Sequence, residues 1–233
     1  MLSQNFIVQN LLSTTVFAIM HLYFWRMVIT YHGGEAFKVV FGDTTLAFNP
    51  VSKDSKLKSA RFGADIALVS LNHPDMNGVE QVTHGEKKPF VISGPGEYET
   101  QGIFVRGFKS SSTHGGDERL NTIYTVSLEG MNLCFLGALD STKLSGDAKE
   151  KLENIDVLFV PVGDDGVLSP KEAHDVSVEL EPKIVIPMHA DDSKKLKDFL
   201  KEEGERNGKA IDKLTLKRRD LEGKEGEVIV LSA

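Results

Sequence analysis

The chain has 233 residues, 40% of them apolar and 26% charged, the ordinary balance of a soluble globular protein with enough apolar material for a sizeable core. Its net charge of −7 excludes the basic stripe that a nucleic-acid surface requires. With one cysteine, Cys134, an intrachain disulfide and a structural zinc ribbon are both excluded, and the apolar setting NLCFLG makes this thiol a small buried hydrophobe.

Residues 6–25, FIVQNLLSTTVFAIMHLYFW, contain no Asp, Glu, Lys or Arg and match a membrane span in length. Gln9, Asn10, Ser13, Thr14, Thr15 and His21 dilute that run, and no basic leader of a secretory signal precedes it. Residues 1–26 are therefore expected to be an appended apolar segment: a mis-called start, a weak anchor or a docking helix. A single domain is expected over 27–233.

That domain opens with a meander, VITYH (28–32), FKVVFG (37–42) and TTLAFNP (44–50), with Gly42-Asp43 turning between the second and third strands. DIALVSL (65–71) and PFVIS (89–93) are short continuous apolar runs of the kind buried on both faces. In GPGEYE (94–99) Pro95 and Gly96 suit a type II turn, TQGIFVRGF (100–108) continues as strand, and KSSSTHGGDERL (109–120) is expected to be a mobile polar loop. A hairpin turning at Glu129-Gly130 joins 121–130 to 131–139. Helices are expected at 146–154, at 169–180 behind the capping box of Ser169 and Glu172, and at 192–204, with buried strands at 156–163 and 183–190. KLTLKR and EVIVL form a final strand pair, and the basic run at 213–220 reads as a solvated edge. Strands in two groups with interspersed helices predict a layered α/β sandwich.

Three of these strands end in residues with chemistry. DIALVSL runs into His73 and Asp75, the strand at 131–139 into Asp140, and KIVIPM into His189. Loops at the ends of core strands are exposed yet rigidly held, so His73, Asp75 and His189 can converge as two imidazoles and a carboxylate, a zinc ligand set with an open position. The competing reading makes Asp75 a helix cap near Asn77, His73 an extended turn residue and His189 a satisfied core histidine. His32, before Gly33-Gly34, lines the same face; His114 lies in the polar loop within reach of a metal; His84 and His174 are expected to be exposed. No G-x-S-x-G elbow and no phosphate loop of the G-x-x-x-x-G-K-[ST] type occurs.

The order and spacing of VITYHGGEAFKV, TTLAFNP, ADIALVSLNHPDMNG, GPGEYETQGI, NTIYTVSLEGMNLCFLGAL, DVLFVPVG and PKIVIPMHA resemble the metallo-β-lactamase superfamily, in particular its branch similar to ascorbate-phosphate lactonases. The resemblance implies a four-layer αββα sandwich with a metal site on one edge. It lays the motif T-H-x-H-x-D-H over Ser70 to Met76, so that His73 and Asp75 match ligands while Leu71 and Met76 stand where two histidines belong. It also places a third histidine near Ser110–Ser112, where only His114 is close, a bridging aspartate on Ala138, and the final histidine on His189. His73 would then serve one metal, and Asp75 with His189 the other.

The expectation from this pattern is a hydrolase-family protein whose metal site is largely lost, acting as a binding protein for a small-molecule ligand, with little or no hydrolysis. The alternative is a one-metal hydrolase of a phosphodiester, phosphoester or lactone, with His73, Asp75 and His189 holding zinc and Asp75 as catalytic residue. His114 and Asp140 are auxiliary ligands in that reading, and His32, Glu97 and Tyr98 contact substrate. A membrane-tethered binding protein anchored through 6–25 is a third, less favoured reading. A cytoplasmic setting without a nucleic-acid partner is expected.

Overall fold

The computed structural model describes residues 26–233 apart from 87, 164, 190–192 and 205–207. The expectations for residues 1–25 lie outside the described residues, and among the described ones no helix is long and apolar enough to cross a membrane.

One sheet contains β1 (Met27–Tyr31), β2 (Phe37–Phe41), β3 (Thr44–Phe48), β4 (Ile66–Leu68), β5 (Phe90–Ile92) and β12 (Leu214–Leu216), in the order β12-β1-β2-β3-β4-β5. The other contains β6 (Gly96–Thr100), β7 (Ile103–Ser112), β8 (Arg119–Leu128), β9 (Met131–Phe135), β10 (Val157–Pro161), β11 (Ile184–Met188) and β13 (Glu227–Val228), in the order β13-β11-β10-β9-β8-β7-β6. Alternation decides the inward face of the first sheet: in MVITY and FKVVF every second residue is buried. By contrast β10 and β11 are buried at all five positions, because they run parallel in the centre of their sheet and helices cover their outer face.

Between the sheets the core is aromatic. Phe37 meets Phe159 edge-on at 4.8 Å between ring centroids, and Phe48 lies 5.0 Å from Phe135. The outer face of the second sheet is covered by α1 (Gly146–Lys151), α2 (Pro170–Leu180) and α3 (Ser193–Glu202). Ala148, Ala173, Val176, Leu180 and Phe199 are the buried residues these helices set against Leu158, Val160 and Val185. Ser169 caps α2 as its sequence predicts, accepting from the Glu172 amide while the Glu172 carboxylate accepts from the Ser169 amide. On the first sheet Ala47 and Ala67 are covered by Phe62, Val79 and Val82, from a loop and a single 3-10 turn. The layered α/β sandwich expected from the sequence is the fold observed.

Five local expectations are corrected. Residues 100–108 are not one strand: Gln101 and Gly102 both take positive φ (53° and 74°) and turn a hairpin between β6 and β7. Gly96 has a φ of 148° at the start of β6, outside type II turn geometry. The polar stretch 109–120 is mostly strand, because Lys109–Ser112 pair with Arg119–Thr122 and leave only a short turn. KLTLKR and EVIVL do not pair with each other; β12 joins β1, and β13 joins β11 in the opposite sheet. β5, expected to be buried, is an edge strand with Phe90 48% exposed, because β4 covers one side of it only.

Phe159→Ala is expected to lower the unfolding free energy by about 3–5 kcal/mol, against roughly 0.5 kcal/mol for Phe90→Ala at the edge, both read from urea melts.

Candidate metal centre

The chain leaving β4 crosses to the other sheet. Ser70 accepts from the Thr122 amide at 2.9 Å, and Leu71 forms an antiparallel bridge with Asn121. Beyond it the chain tightens, with the Met76 and Asn77 amides both donating to the His73 carbonyl, at 2.9 and 3.0 Å. Pro74 removes one donor and stiffens the turn, setting His73 and Asp75 on the same side. His114 approaches from the β7–β8 turn, where its amide donates to Ser112 Oγ at 3.2 Å.

The three side chains converge: one ligand atom from each of His73, Asp75 and His114 lies within 4.8 Å of the others. His114 Nε2 is 3.1 Å and His73 Nδ1 3.4 Å from the same oxygen, Asp75 Oδ2, and Ser55 donates to the other oxygen. Burial by itself pushes the Asp75 carboxyl up, but the hydrogen bonds from Ser55 and His114 and the nearby imidazoles hold it below the usual carboxylate range. Burial lowers His73, together with His114 and Arg119, against the opposing pull of Asp75, so the ring is neutral and keeps a lone pair for a cation.

His114 Nδ1 faces the Asp165 carbonyl at 3.3 Å while Nε2 faces the Asp75 carboxylate. Both partners are acceptors, and a neutral imidazole carries one N–H. His73 Nδ1 accepts from the Asp75 amide at 3.3 Å and lies 3.4 Å from Asp75 Oδ2.

His189, at the end of β11, stands beside this group, its ring edge-on to His114 at 5.1 Å between centroids. It takes a positive φ of 56°, and its Nδ1 donates to Glu35 Oε1 at 3.2 Å. Glu35 is itself buried and accepts from Asn49 Nδ2 at 2.8 Å, and Asn49 also donates to Ser70 Oγ. His189 is thus oriented by a buried carboxylate, the arrangement that fixes the tautomer of a ligating imidazole.

The remaining sequence candidates fall as follows. Asp140 accepts from Ser111 Oγ at 3.0 Å and is outside the convergent group. His32 stacks on Phe62 at 5.5 Å and lines a neighbouring pocket. Glu97 pairs with Arg106, and Tyr98 donates to the Gly94 carbonyl. Arg106 lies six residues before Ser112 on β7, so Glu97 is about 20 Å along the sheet from His114. His84 is exposed, and His174 is half-buried against Glu203. Asp75 caps no helix: the nearest, a 3-10 turn at Val79–Gln81, has Gly78 at its cap and no side-chain cap. Leu71, Met76 and Ala138, joined by Val167, form one small buried apolar cluster.

The expectation of a largely lost metal site is not supported, because His114 stands with His73 and Asp75. The sequence offered His114 only as an auxiliary, since a Gly/Ser-rich stretch reads as a loose loop until its pairing with β8 is known. Asn121 escaped notice altogether. Its amide donates to Ser110 Oγ and to the Leu136 carbonyl, and its Oδ1 accepts from Ala138. An isolated Asn at a strand start carries no sequence signal of such a role.

Two mixed sheets packed face to face, with imidazoles and a carboxylate gathered where strands of both sheets end, define an α/β sandwich with a candidate metal site at one edge. Residues 28–189 match the model of the β-lactamase superfamily domain, and the chain belongs to that family. Metal-dependent hydrolases of the UPF0173 group from Listeria innocua and Anoxybacillus flavithermus are 26% identical over 196 and 199 residues, 70% of this chain and 85% of theirs. A Thermotoga maritima protein, assigned as a Zn-dependent hydrolase of the metallo-β-lactamase superfamily, superposes with a TM-score of 0.70 at 28% identity, over 88% of this chain and 98% of its own. The metallo-β-lactamase fold protein YhfI of Bacillus subtilis shares the fold alone, at a TM-score of 0.57 and 10% identity over 89% of this chain and 97% of its own.

Glu35→Ala strips an acceptor from both Asn49 and His189 and is expected to cost about 1–3 kcal/mol for each donor left unpaired, whereas Glu35→Gln, which keeps an oxygen, costs clearly less; urea unfolding measures both.

Proposed function

We propose that this protein is a hydrolase working with one divalent metal ion held by His73, Asp75 and His114, with His189 beside them. The observation that carries this reading is the convergence of two imidazoles and one carboxylate, with one ligand atom from each within 4.8 Å of the others. Two nitrogens and an oxygen are a donor set suited to zinc. The names of the Listeria and Thermotoga relatives support the same class.

A single ion, not a pair, follows from the apolar cluster. The resemblance places further ligands at Leu71, Met76 and Ala138, and here these residues pack on one another and on Val167. Aliphatic and thioether groups buried together offer nothing to a second hard cation. The degraded motif is in this reading a reduction from two ions to one, with His114 recruited to complete the set.

An ion held by these residues would supply Lewis acidity and a water acidified toward neutral pH. The chain supplies the rest. Asp75, held below its ordinary pKa, keeps its charge, and Ser55 fixes its second oxygen. Glu35 orients His189. Arg119, anchored on the Asn72 carbonyl at 3.1 Å, brings a cation beside His73 for a substrate that carries negative charge. A phosphodiester or phosphoester fits that field best; a lactone is the choice suggested by the ascorbate-phosphate lactonase branch. A cytoplasmic setting belongs to this reading as well.

The decisive measurement is the metal content of the full chain purified without chelator and dialysed. About one equivalent of zinc, manganese or iron is expected, falling to background in His114→Ala, and chelator should abolish turnover of an aryl phosphodiester or lactone in a way that added zinc reverses. Retention of no metal even after reconstitution would sink this reading.

A further inference from the structure

The polar loop after β3 and the Gly33-Gly34 turn after β1 meet next to the metal centre. Gly34 accepts from the His189 amide at 2.6 Å. Across from it Leu57 donates its amide to Ser55 Oγ at 2.9 Å, the same hydroxyl that holds Asp75. The two loops touch so closely that a side chain on Gly34 would place its Cβ 2.8 Å from Leu57 Cδ1, at a φ of +57°. Where they meet, a pocket of about 340 Å³ opens, walled by His32, Gly33, Gly34, Leu57, Lys58 and Ala233. That volume lies in the range of small-molecule sites, and each of its two long walls is hydrogen-bonded to a residue of the metal centre.

Its charge runs against that of the molecule. The chain carries −7 overall, yet residues 52–61, SKDSKLKSAR, hold four cations against one acid. Lys58, on the pocket wall, is exposed and has no carboxylate partner among the described residues. Lys38 adds a further cation, set over the Phe62 ring on which His32 stacks. His32 Nε2 is buried with no hydrogen-bond partner among the described residues, a costly state for a ring nitrogen. Burial, with help from Lys38, lowers its pKa, so the ring is a neutral hydrogen-bonding group.

We propose that this pocket is the recognition subsite of the enzyme and that it holds an anionic oxygen group of the substrate, phosphoryl or carboxylate, between Lys58 and His32. The proposal rests on the hydrolase reading and deepens it: the bond to be cleaved lies at the His73–Asp75–His114 centre, and the group that selects the substrate lies across the Gly34–Leu57 contact.

Amide spectra of the full-length protein titrated with inorganic phosphate, and separately with acetate, test this at constant ionic strength. Saturable shifts at Gly33, Gly34 and Lys58 are expected with one or both anions, and the stronger of the two reveals the group. Lys58→Met should weaken this binding by about threefold or more. His32→Phe, which keeps the stack on Phe62, should weaken it too, and Lys53→Met, in the same loop but off the pocket wall, should leave it unchanged. In His114→Ala the shifts should persist, so the pocket is read separately from the metal: an unmutated chain that takes up no metal yet shows the shifts removes the hydrolase reading and leaves the anion site standing. Absence of shifts with both anions, their loss in His114→Ala, or equal weakening by Lys53→Met and Lys58→Met would overturn the proposal.

Discussion

The hydrogen bond from the Thr122 amide to the Ser70 carbonyl and the bridge between Leu71 and Asn121 tie the end of β4 to the start of β8. These two strands belong to opposite sheets, and the tie closes one edge of the sandwich. Asn121 extends the tie sideways, holding Ser110 of β7, the Leu136 carbonyl and the Ala138 amide with one fully buried amide group. A buried carboxamide must find its partners or cost several kcal/mol, so this corner has a single low-energy arrangement. His73 and Asp75 emerge just beyond it on one side and His114 on the other. Their convergence is a consequence of the stitch, since the turn that sets His73 and Asp75 on one side cannot by itself bring His114 to them.

Charge then organises the centre from outside inward. Glu35 is buried against His189 and Asn49, and Asn49 returns to Ser70, so the orientation of the β11 histidine is tied to the same strand end that carries Asp75. Ser55 reaches Asp75 from the loop after β3. The polar groups around the centre are therefore held from four separate elements, which leaves little freedom for the carboxylate and the imidazoles to relax away from one another. Opposite them lies the apolar cluster of Leu71, Met76, Ala138 and Val167. One half of the corner gathers polar, chargeable groups and the other half is packed like a core, which is why the proposed site has room in its ligand set for one ion and not two.

Much of this was legible in the sequence. Period-two alternation in MVITY and FKVVF gave the inward faces of the first sheet, the unbroken runs at β10 and β11 gave the helix-covered strands, and Ser169 with Pro170 and Glu172 gave the start of α2. His73 and Asp75 stood out because they follow a buried strand. Less legible were features whose meaning depends on pairing. The stretch around His114 was read as a mobile loop because Ser and Gly dominate it, and local composition cannot register nine paired residues of β8 lying alongside. Glu97 and Tyr98 looked available for substrate because nothing local shows that Arg106 and the Gly94 carbonyl already engage them.

By itself the sequence determined the identity and order of the strands, the helices that cover the second sheet, and the presence of imidazoles and carboxylates at strand ends. Each of these follows from the side-chain period and from turn chemistry, both local properties of a chain. Tertiary structure alone decided which of those groups share a point in space. His73 and His114 are 41 residues apart in the chain, and the registry of two packed sheets, not any local preference, brings their rings to 4.7 Å. Leu71 and Met76 changed meaning for the same reason. Set beside absent histidines they read as the trace of a lost site, but in the fold they pack with Ala138 and Val167 as a small buried apolar cluster.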